Sequence, residues 1–265
     1  ETPISDLFIG AIIPGLLAMF AFVLCSLIYL RKKSDKSEKQ IFEKEEISTY
    51  RMTVVVGVGL FVAAVVFGGI YSGIVTPTEA GAVGSLVALV SALLLGKVNK
   101  AFIRNSIIDT VKVTGMVLLI MICARIFGRF ISLSQWPRKL VELLNPILDK
   151  PVLVLVLLAI VFFLLYMFVE GSAVILMTVP IILPIIDAIQ VDLLWFGVFI
   201  CVLNTLGLLT PPVGLSVYAV AGASKVPVEN IFRYGLVFAA FATIIVCGAM
   251  ILFPQIVTWL PSTVG

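Results

Sequence analysis

Long apolar runs separated by short polar segments dominate the chain of 265 residues. Several of these runs reach the roughly 20 residues that a helix needs to cross a bilayer. They predict complete spans at 7–30, 52–75, 79–96, 113–133 and about 235–253. Composition supports this interpretation, because 61% of the residues are hydrophobic and 12% are charged, with a mean hydropathy of +1.21. The pattern therefore predicts an all-α integral membrane protein with several spans.

Two later apolar segments contain polar or helix-breaking residues near their centres. Segment 152–189 is interrupted by Glu170–Ser172 and is predicted to be a re-entrant hairpin, since irregular backbone at membrane depth must be buried by protein or line a cavity. An ordinary short connection between two helices is the alternative. Segment 193–223 is predicted to be a helix broken at Leu209–Gly214, because Pro211 and Pro212 lack the N–H that a helix interior requires. A simple proline kink is the alternative there.

The basic residues predict the topology. Thirteen of the 18 lysines and arginines lie in segments 31–51, 97–112 and 224–234, which this layout puts on one side of the membrane. Three lie on the opposite side: Arg138, Lys139 and Lys150. The positive-inside rule then places the 31–51 loop in the cytoplasm and both ends of the chain outside.

Two segments between the spans are predicted to be interfacial helices, at 97–112 and 137–149, because apolar and charged residues occupy different faces there. We accordingly divide the chain into transmembrane helices with a cytoplasmic loop and interfacial arm helices (1–150) and a half-domain with the hairpin, the broken helix and the last span (151–265).

Thr76 and Glu79 flank Pro77 at the predicted start of a helix. A membrane carboxylate can serve in an ion or proton pathway. The spacing of three residues also matches a capping box, in which each side chain satisfies a backbone amide of the other residue. We favour the capping role.

Arg125 and Arg129 share one helix face inside a predicted span. Contact with an anionic substrate, contact with a partner subunit, and interaction with the membrane interface or lipid headgroups are all open for them. The four cysteines are isolated within apolar runs and are predicted to be packed thiols.

Other classes of function are disfavoured. The sequence contains no histidine, and it shows neither a nucleophile with a base nor a pair of carboxylates, so we do not predict an enzyme. A net charge of +3, with the basic residues mostly in loops, also argues against binding to nucleic acid.

A broken membrane helix frees carbonyl groups on one side of the break and amides on the other. Carbonyls and the negative end of the helix dipole attract Na⁺, and the opposite end attracts an anion. Asn204, Thr205 and Thr210 add side-chain oxygens near the break, and Gly207 and Gly214 permit close approach of the backbone.

Three stretches together resemble the large membrane subunit of tripartite ATP-independent periplasmic (TRAP) transporters, in the ion-transporter superfamily. They are "GIYSGIVTPTEAGAV" (69–83), "YMFVEGSAVILMTVPIILPI" (166–185) and "LNTLGLLTPPVGLSVYAVAG" (203–222). That subunit has two inverted repeats, each with a hairpin and a broken helix. Only one of each is found here, and the chain starts at Glu1 without an initiator methionine. We therefore expect it to correspond to roughly the C-terminal half.

The resemblance implies Na⁺-coupled symport of an organic anion, such as a C4-dicarboxylate or sialic acid, by an elevator motion in a bacterial inner membrane. It also implies two partners, a small four-helix membrane subunit and an extracytoplasmic substrate-binding protein. Na⁺ would be the coupling ion, with contributions from the hairpin tip and the break: Gly171, Ser172, Asn204, Leu209, Thr210, Pro211 and Gly214. The expected substrate contacts are Ser172, Ala173, Thr210 and Pro212. The alternatives are a self-sufficient Na⁺/anion symporter of the same fold and a non-transporting membrane scaffold or channel.

Overall fold

The computed structural model of the protein describes residues 3–33, 49–212, 214–224 and 226–264. Every regular element in this part of the chain is a helix. The helices are α1 (Ile4–Gly10), α2 (Ile12–Lys33), α3 (Thr49–Tyr71), α4 (Pro77–Leu94), α5 (Lys100–Leu133), α6 (Trp136–Leu148), α7 (Pro151–Phe168), α8 (Gly171–Ala188), α9 (Leu193–Gly207), α10 (Leu215–Ser224), α11 (Val228–Leu252) and α12 (Gln255–Val264).

Seven segments of the described chain are long and apolar enough to cross a membrane. They are Ile4–Tyr29, Met52–Tyr71, Pro77–Leu94, Lys100–Ile131, Pro151–Phe168, Gly171–Ala188 and Val228–Leu252. The prediction of an all-α, multi-span membrane protein is confirmed. The sides of the membrane on which the loops and chain ends lie stay a prediction, and most of the 31–51 loop lies outside the described residues.

The first predicted span is interrupted near its start. Helix α1 ends at Gly10 and α2 begins at Ile12, with Ala11 between them. Pro14 lies one turn further on and has no N–H to donate to the carbonyl of Gly10. The proline therefore explains an interruption that the apolar run alone does not reveal.

One continuous helix occupies the region where the sequence predicted an interfacial helix at 97–112 and a separate span at 113–133. Helix α5 runs from Lys100 to Leu133, a length of 34 residues. Its interior contains no proline and its charged residues are all good helix formers except Asp109, so nothing local ends the helix between the two predicted elements. The change in charge pattern near residue 112 therefore does not coincide with a change of backbone conformation.

The chain divides into two compact units, and the division differs from the predicted boundary at residue 150. The first unit contains 1–33 and 116–265, and the second contains 34–115. Helices α1 and α2 thus pack with the C-terminal part of the chain, α1 against α9 and α12 and α2 against α11. The predicted division into parts with different functions is a separate question and stays a prediction.

In the second unit, α3 and α4 form a tight antiparallel pair. The first turn of α4 contains the predicted capping box. The amide of Thr76 donates to the Glu79 carboxylate (2.8 Å) and the amide of Glu79 donates to the Thr76 hydroxyl (3.3 Å). Capping is therefore the role that the structure gives to this carboxylate.

In the first unit, α9 lies at the centre and packs against α7, α11 and α1. The core consists of large side chains that are almost completely buried, including Phe162 and Tyr166 of α7, Phe199 and Leu203 of α9, and Met250 of α11.

The segment predicted as an interfacial helix at 137–149 is helix α6, and its apolar face packs on this core and on α8. Helix α12, which follows the last predicted span, was not predicted.

Candidate functional site

The connection between α7 and α8 is two residues long. Val169 is extended, and Glu170 is the N-cap residue of α8. The Glu170 carboxylate accepts hydrogen bonds from the amide of Ala173 (3.1 Å) and from the hydroxyl of Ser172 (3.0 Å). The start of α8 is therefore capped by its own carboxylate, a role the sequence did not suggest because aspartate, asparagine and serine are the usual cap residues.

The two helices that flank this connection diverge after it. Helix α7 packs mainly on α9, whereas α8 packs mainly on α6. The predicted hairpin at 152–189 is thus a pair of 18-residue helices with few contacts to each other. Re-entry from one side of the membrane stays a prediction.

Gly171, the first residue of α8, lies directly against the side chain of Asn204 on α9. It is buried, and a Cβ atom at this position would collide with the amide oxygen of Asn204 and lie 2.6 Å from its Cγ. Only glycine leaves room for this side chain. The contact joins the tip of the helix pair to the helix that precedes the break.

The amide oxygen of Asn204 is buried and has no hydrogen-bond partner among the described residues. A buried acceptor without a partner costs about 1–3 kcal/mol. In native structures such a group usually has a ligand, an ion or a water molecule as its partner. An amide oxygen is a ligand of the type that Na⁺ prefers, so this atom fits a cation site.

The predicted break lies where the sequence placed it, between the end of α9 at Gly207 and the start of α10 at Leu215. Thr210 is completely buried at its centre. Its hydroxyl (2.5 Å) and its amide (2.9 Å) both donate to the carbonyl of Gly207. The amide of Gly214 then donates to the carbonyl of Thr210 (3.1 Å). The break is therefore a hydrogen-bonded turn with a defined shape.

The glycine that ends α9 packs against the end of α7. A Cβ atom on Gly207 would collide with the Cβ of Tyr166 and approach its carbonyl carbon to 3.3 Å. Tyr166 is 1% exposed, and its hydroxyl has no hydrogen-bond partner among the described residues. A role for Tyr166 was not predicted from the sequence, because this residue lies within the long apolar run of α7 and resembles its neighbours there.

Two further close contacts join the break to α11. Gly214 has a positive φ of 26°, and a Cβ atom there would collide with the ring of Phe232. From the other direction, a Cβ atom on Gly235 would lie 2.6 Å from the carbonyl oxygen of Leu209. Neither Phe232 nor Gly235 was predicted, although a glycine within an apolar helix often marks such an approach.

The structure accordingly joins some of the predicted site residues. Gly171 meets Asn204, and Ser172 and Ala173 both donate to Glu170. Besides their local backbone hydrogen bonds, Leu209 and Gly214 contact α11, and Pro211 and Pro212 are linked by a cis peptide bond. The assignment of these residues to Na⁺ or to substrate stays a prediction.

Arg125 and Arg129 are exposed on α5 and form no ion pair among the described residues, so their three possible roles stay open.

The cysteines are all free. Cys25 and Cys247 are buried as predicted, whereas Cys123 and Cys201 are exposed.

The fold and this site define a multi-pass helical membrane protein in which a helix pair and an interrupted helix meet at buried glycines. The chain belongs to the family described as "Tripartite ATP-independent periplasmic transporter, DctM component", whose family model matches residues 1–256. The resemblance to the TRAP large subunit is confirmed.

Several curated proteins are similar to the chain. The sialic acid TRAP transporter large permease protein SiaM of Vibrio cholerae is 29% identical over 99% of this chain and 61% of its own length. The C4-dicarboxylate large permease DctM of Pseudomonas aeruginosa is 28% identical, over 99% of this chain and 59% of its own length. The sialic acid permease SiaT of Haemophilus influenzae is 26% identical, over 98% of this chain and 42% of its own length. The chain thus spans about 60% or less of these relatives.

Proposed function

We propose that the chain is part of the large membrane subunit of a TRAP transporter, and that this subunit carries an organic anion across a bacterial inner membrane together with Na⁺. The observation that carries the proposal is the unpartnered, buried amide oxygen of Asn204 against Gly171. It lies beside a helix break of the type that binds ions in secondary transporters. Membership of the TRAP large-subunit family supports the same function.

Na⁺ is a transported ion in this proposal. Asn204 supplies a free amide oxygen. The hydroxyl oxygen of Thr210 donates its proton to Gly207 and keeps its lone pairs for a cation. Main-chain carbonyls at the break, including that of Leu209, and groups of the tip at Gly171 and Ser172 supply the remaining ligands. Pro211 and Gly214 act by shaping the backbone that presents these carbonyls.

Relatives named for sialic acid, C4-dicarboxylate and isethionate support the proposal of an organic anion as the transported substrate. All three are anions, so a site for any of them must supply hydrogen-bond donors or positive charge. We propose contacts at Ser172, Ala173, Thr210 and Pro212. In the present structure Ser172 and Ala173 donate to Glu170, so the anion has to replace that carboxylate to reach them.

The proposed complex contains two partners, a small four-helix membrane subunit and an extracytoplasmic binding protein that delivers the anion. The proposed motion is an elevator, in which the hairpin and broken helix move with the bound ion and anion. The subunit performs no covalent chemistry.

The test is Na⁺-titrated uptake in proteoliposomes that contain the full-length large subunit, the small subunit and the binding protein. Asn204→Ala, Ser172→Ala and Thr210→Val should each raise the Na⁺ concentration for half-maximal uptake about five- to hundredfold, the equivalent of about 1–3 kcal/mol. Thr205→Val is the matched control for Thr210→Val, because the exposed Thr205 hydroxyl donates within its own helix to Cys201 (2.9 Å).

Unchanged Na⁺ curves for all three variants, with normal insertion, would contradict the proposed sodium site. Uptake that persists without the binding protein would identify a self-sufficient symporter instead. The absence of Na⁺-dependent uptake in the complete complex would favour a scaffold or a channel.

A further inference from the structure

A groove of about 840 Å³ lies between α4 and the first half of α5, entirely within the unit formed by residues 34–115. Small residues of α4, namely Ala82, Ser85 and Ala88, line one wall, and Phe102 and Ile107 of α5 line the other. We call this feature the α4–α5 groove. Its volume is within the range of about 300–1,000 Å³ that is usual for sites of small ligands.

The walls of the groove are apolar in effect, although hydroxyl groups are present. The hydroxyl of Ser85 donates to the carbonyl of Ala82 (2.8 Å), and that of Thr110 donates to the carbonyl of Ser106 (2.7 Å). Both donors are therefore satisfied within their own helices. A hydrocarbon chain can lie against these two residues without leaving their hydroxyls unpaired, whereas Ser106, which also lines the groove, is exposed.

The opposite face of α4 is already covered, because α3 packs there. Gly84 is buried, and a Cβ atom at this position would lie 2.7 Å from Val66 of α3. Helix α4 thus has one face against α3 and another that lines the groove.

Basic residues border one end of the groove. Lys100 and Arg104 are exposed on the same face of α5, and they surround a surface depression that shares Ile107 with the groove. Neither side chain forms an ion pair among the described residues. Lys97 is also exposed in the connection between the helices. These cations lie at the end where α4 finishes and α5 begins.

The described carboxylates of this unit do not neutralise that end. Glu79 is engaged in the capping box at the opposite end of α4, and Asp109 pairs with Lys112 at 3.8 Å. The connection itself has a defined conformation, because Gly96 adopts a φ of +63° and the Asn99 side chain accepts the amide of Phe102 (2.7 Å). The groove therefore combines apolar walls with a positively charged end.

We propose that the α4–α5 groove binds an anionic phospholipid of the bilayer. An acyl chain lies along Ala88 and Ile107, and the headgroup phosphate lies beside Lys100 and Arg104. Basic pockets between membrane helices are suited to anionic headgroups. A transmembrane helix of another protein would cover the walls but would leave these two cations without a counter-charge.

The test is native mass spectrometry of the complete transporter in detergent, titrated with phosphatidylglycerol or with phosphatidylcholine of the same acyl chains. Phosphatidylglycerol should bind more tightly. The double variant Lys100→Gln/Arg104→Gln should weaken its binding about 30-fold, since each basic residue near an anionic headgroup contributes about fivefold. Lys112→Gln is the control, because this lysine lies on the same helix but is paired with Asp109.

A second variant tests the apolar part of the site independently. Ala88→Phe places a ring in the groove and should weaken the binding of both lipids, whereas Val90→Phe changes an exposed position of α4 that does not line the groove and should weaken neither. Equal binding of the two lipids to the unchanged protein, or a double variant that binds like it, would overturn the proposal. Photo-cross-linking from position 106 to another polypeptide instead of lipid would also overturn it.

Discussion

The contact between Gly171 and Asn204 can be tested by adding one methyl group. In Gly171→Ala the new Cβ would overlap the amide oxygen of Asn204 and lie 2.6 Å from its Cγ and 2.7 Å from its Nδ2. Separations of this kind are not sustained in proteins, so either the Asn204 side chain or the start of α8 must move.

The expected loss of stability follows from this overlap. Overpacking of a buried site costs about 1–3 kcal/mol, and exchange of glycine for alanine in a helix returns about 0.5–1 kcal/mol. Gly171→Ala should therefore lower the free energy of unfolding by about 1 kcal/mol, and by about 2.5 kcal/mol at most. The proposed sodium site adds a second expectation: Na⁺ binding should weaken about five- to hundredfold, because the displaced amide oxygen would no longer be a ligand of the ion.

Two further variants separate packing from ion binding. Asn204→Ala removes the amide without overpacking, and the double variant Gly171→Ala/Asn204→Ala should recover most of the stability while keeping weak Na⁺ binding. Gly248→Ala is the control, because no atom lies within 4 Å of the added Cβ; it should be neutral or slightly stabilising.

The measurements are thermal unfolding in detergent with and without Na⁺, and Na⁺-titrated uptake. If Gly171→Ala unfolds at the same temperature as the unchanged protein and keeps its Na⁺ response, the contact has neither role.

Three other predictions concern the rest of the chain. Glu79→Gln should keep the stability and the transport of the unchanged protein because glutamine also completes a capping box, whereas Thr76→Ala should cost about 1 kcal/mol in thermal unfolding; a loss of Na⁺ coupling in Glu79→Gln at normal abundance would contradict the capping role. Gly207→Ala should lower the unfolding temperature because its Cβ meets Tyr166, and an unchanged temperature would show that α7 can shift. A cysteine placed within 31–50 should react with a membrane-impermeant reagent only from the cytoplasmic side, and labelling from outside intact cells would reverse the topology.

The apolar runs predicted the membrane-spanning helices because hydropathy acts locally along the chain. Pro77 and the Thr76–Glu79 pair likewise located the start of α4, since a capping box is complete within four residues. The pair of prolines located the break after Gly207, because two consecutive residues there have no N–H to donate. A single proline is a weaker signal, since Pro180 and Pro184 both lie inside the continuous helix α8.

Other features could not be predicted from local patterns. The continuity of α5 was missed because the sequence changes there from amphipathic to apolar. The same change occurs when one helix ends and another begins, so the pattern does not distinguish the two cases. Helix α12 was missed because it is short and contains Pro261. The contact of Tyr166 with Gly207 was missed because α7 is apolar on all its faces, so its sequence does not distinguish Tyr166 from the other apolar positions.

The sequence by itself determined that this is a helical membrane protein, and it located the interruptions after Phe168 and after Gly207, because burial in lipid and backbone hydrogen bonding depend on neighbours along the chain. Only the tertiary structure decided that Gly171 meets Asn204 and that Gly207 meets Tyr166. These pairs are separated by more than 30 residues, and their contact depends on how each helix is rotated about its axis. That rotation is set by packing between helices. The sequence of a uniformly apolar helix does not indicate which of its faces packs against which neighbour.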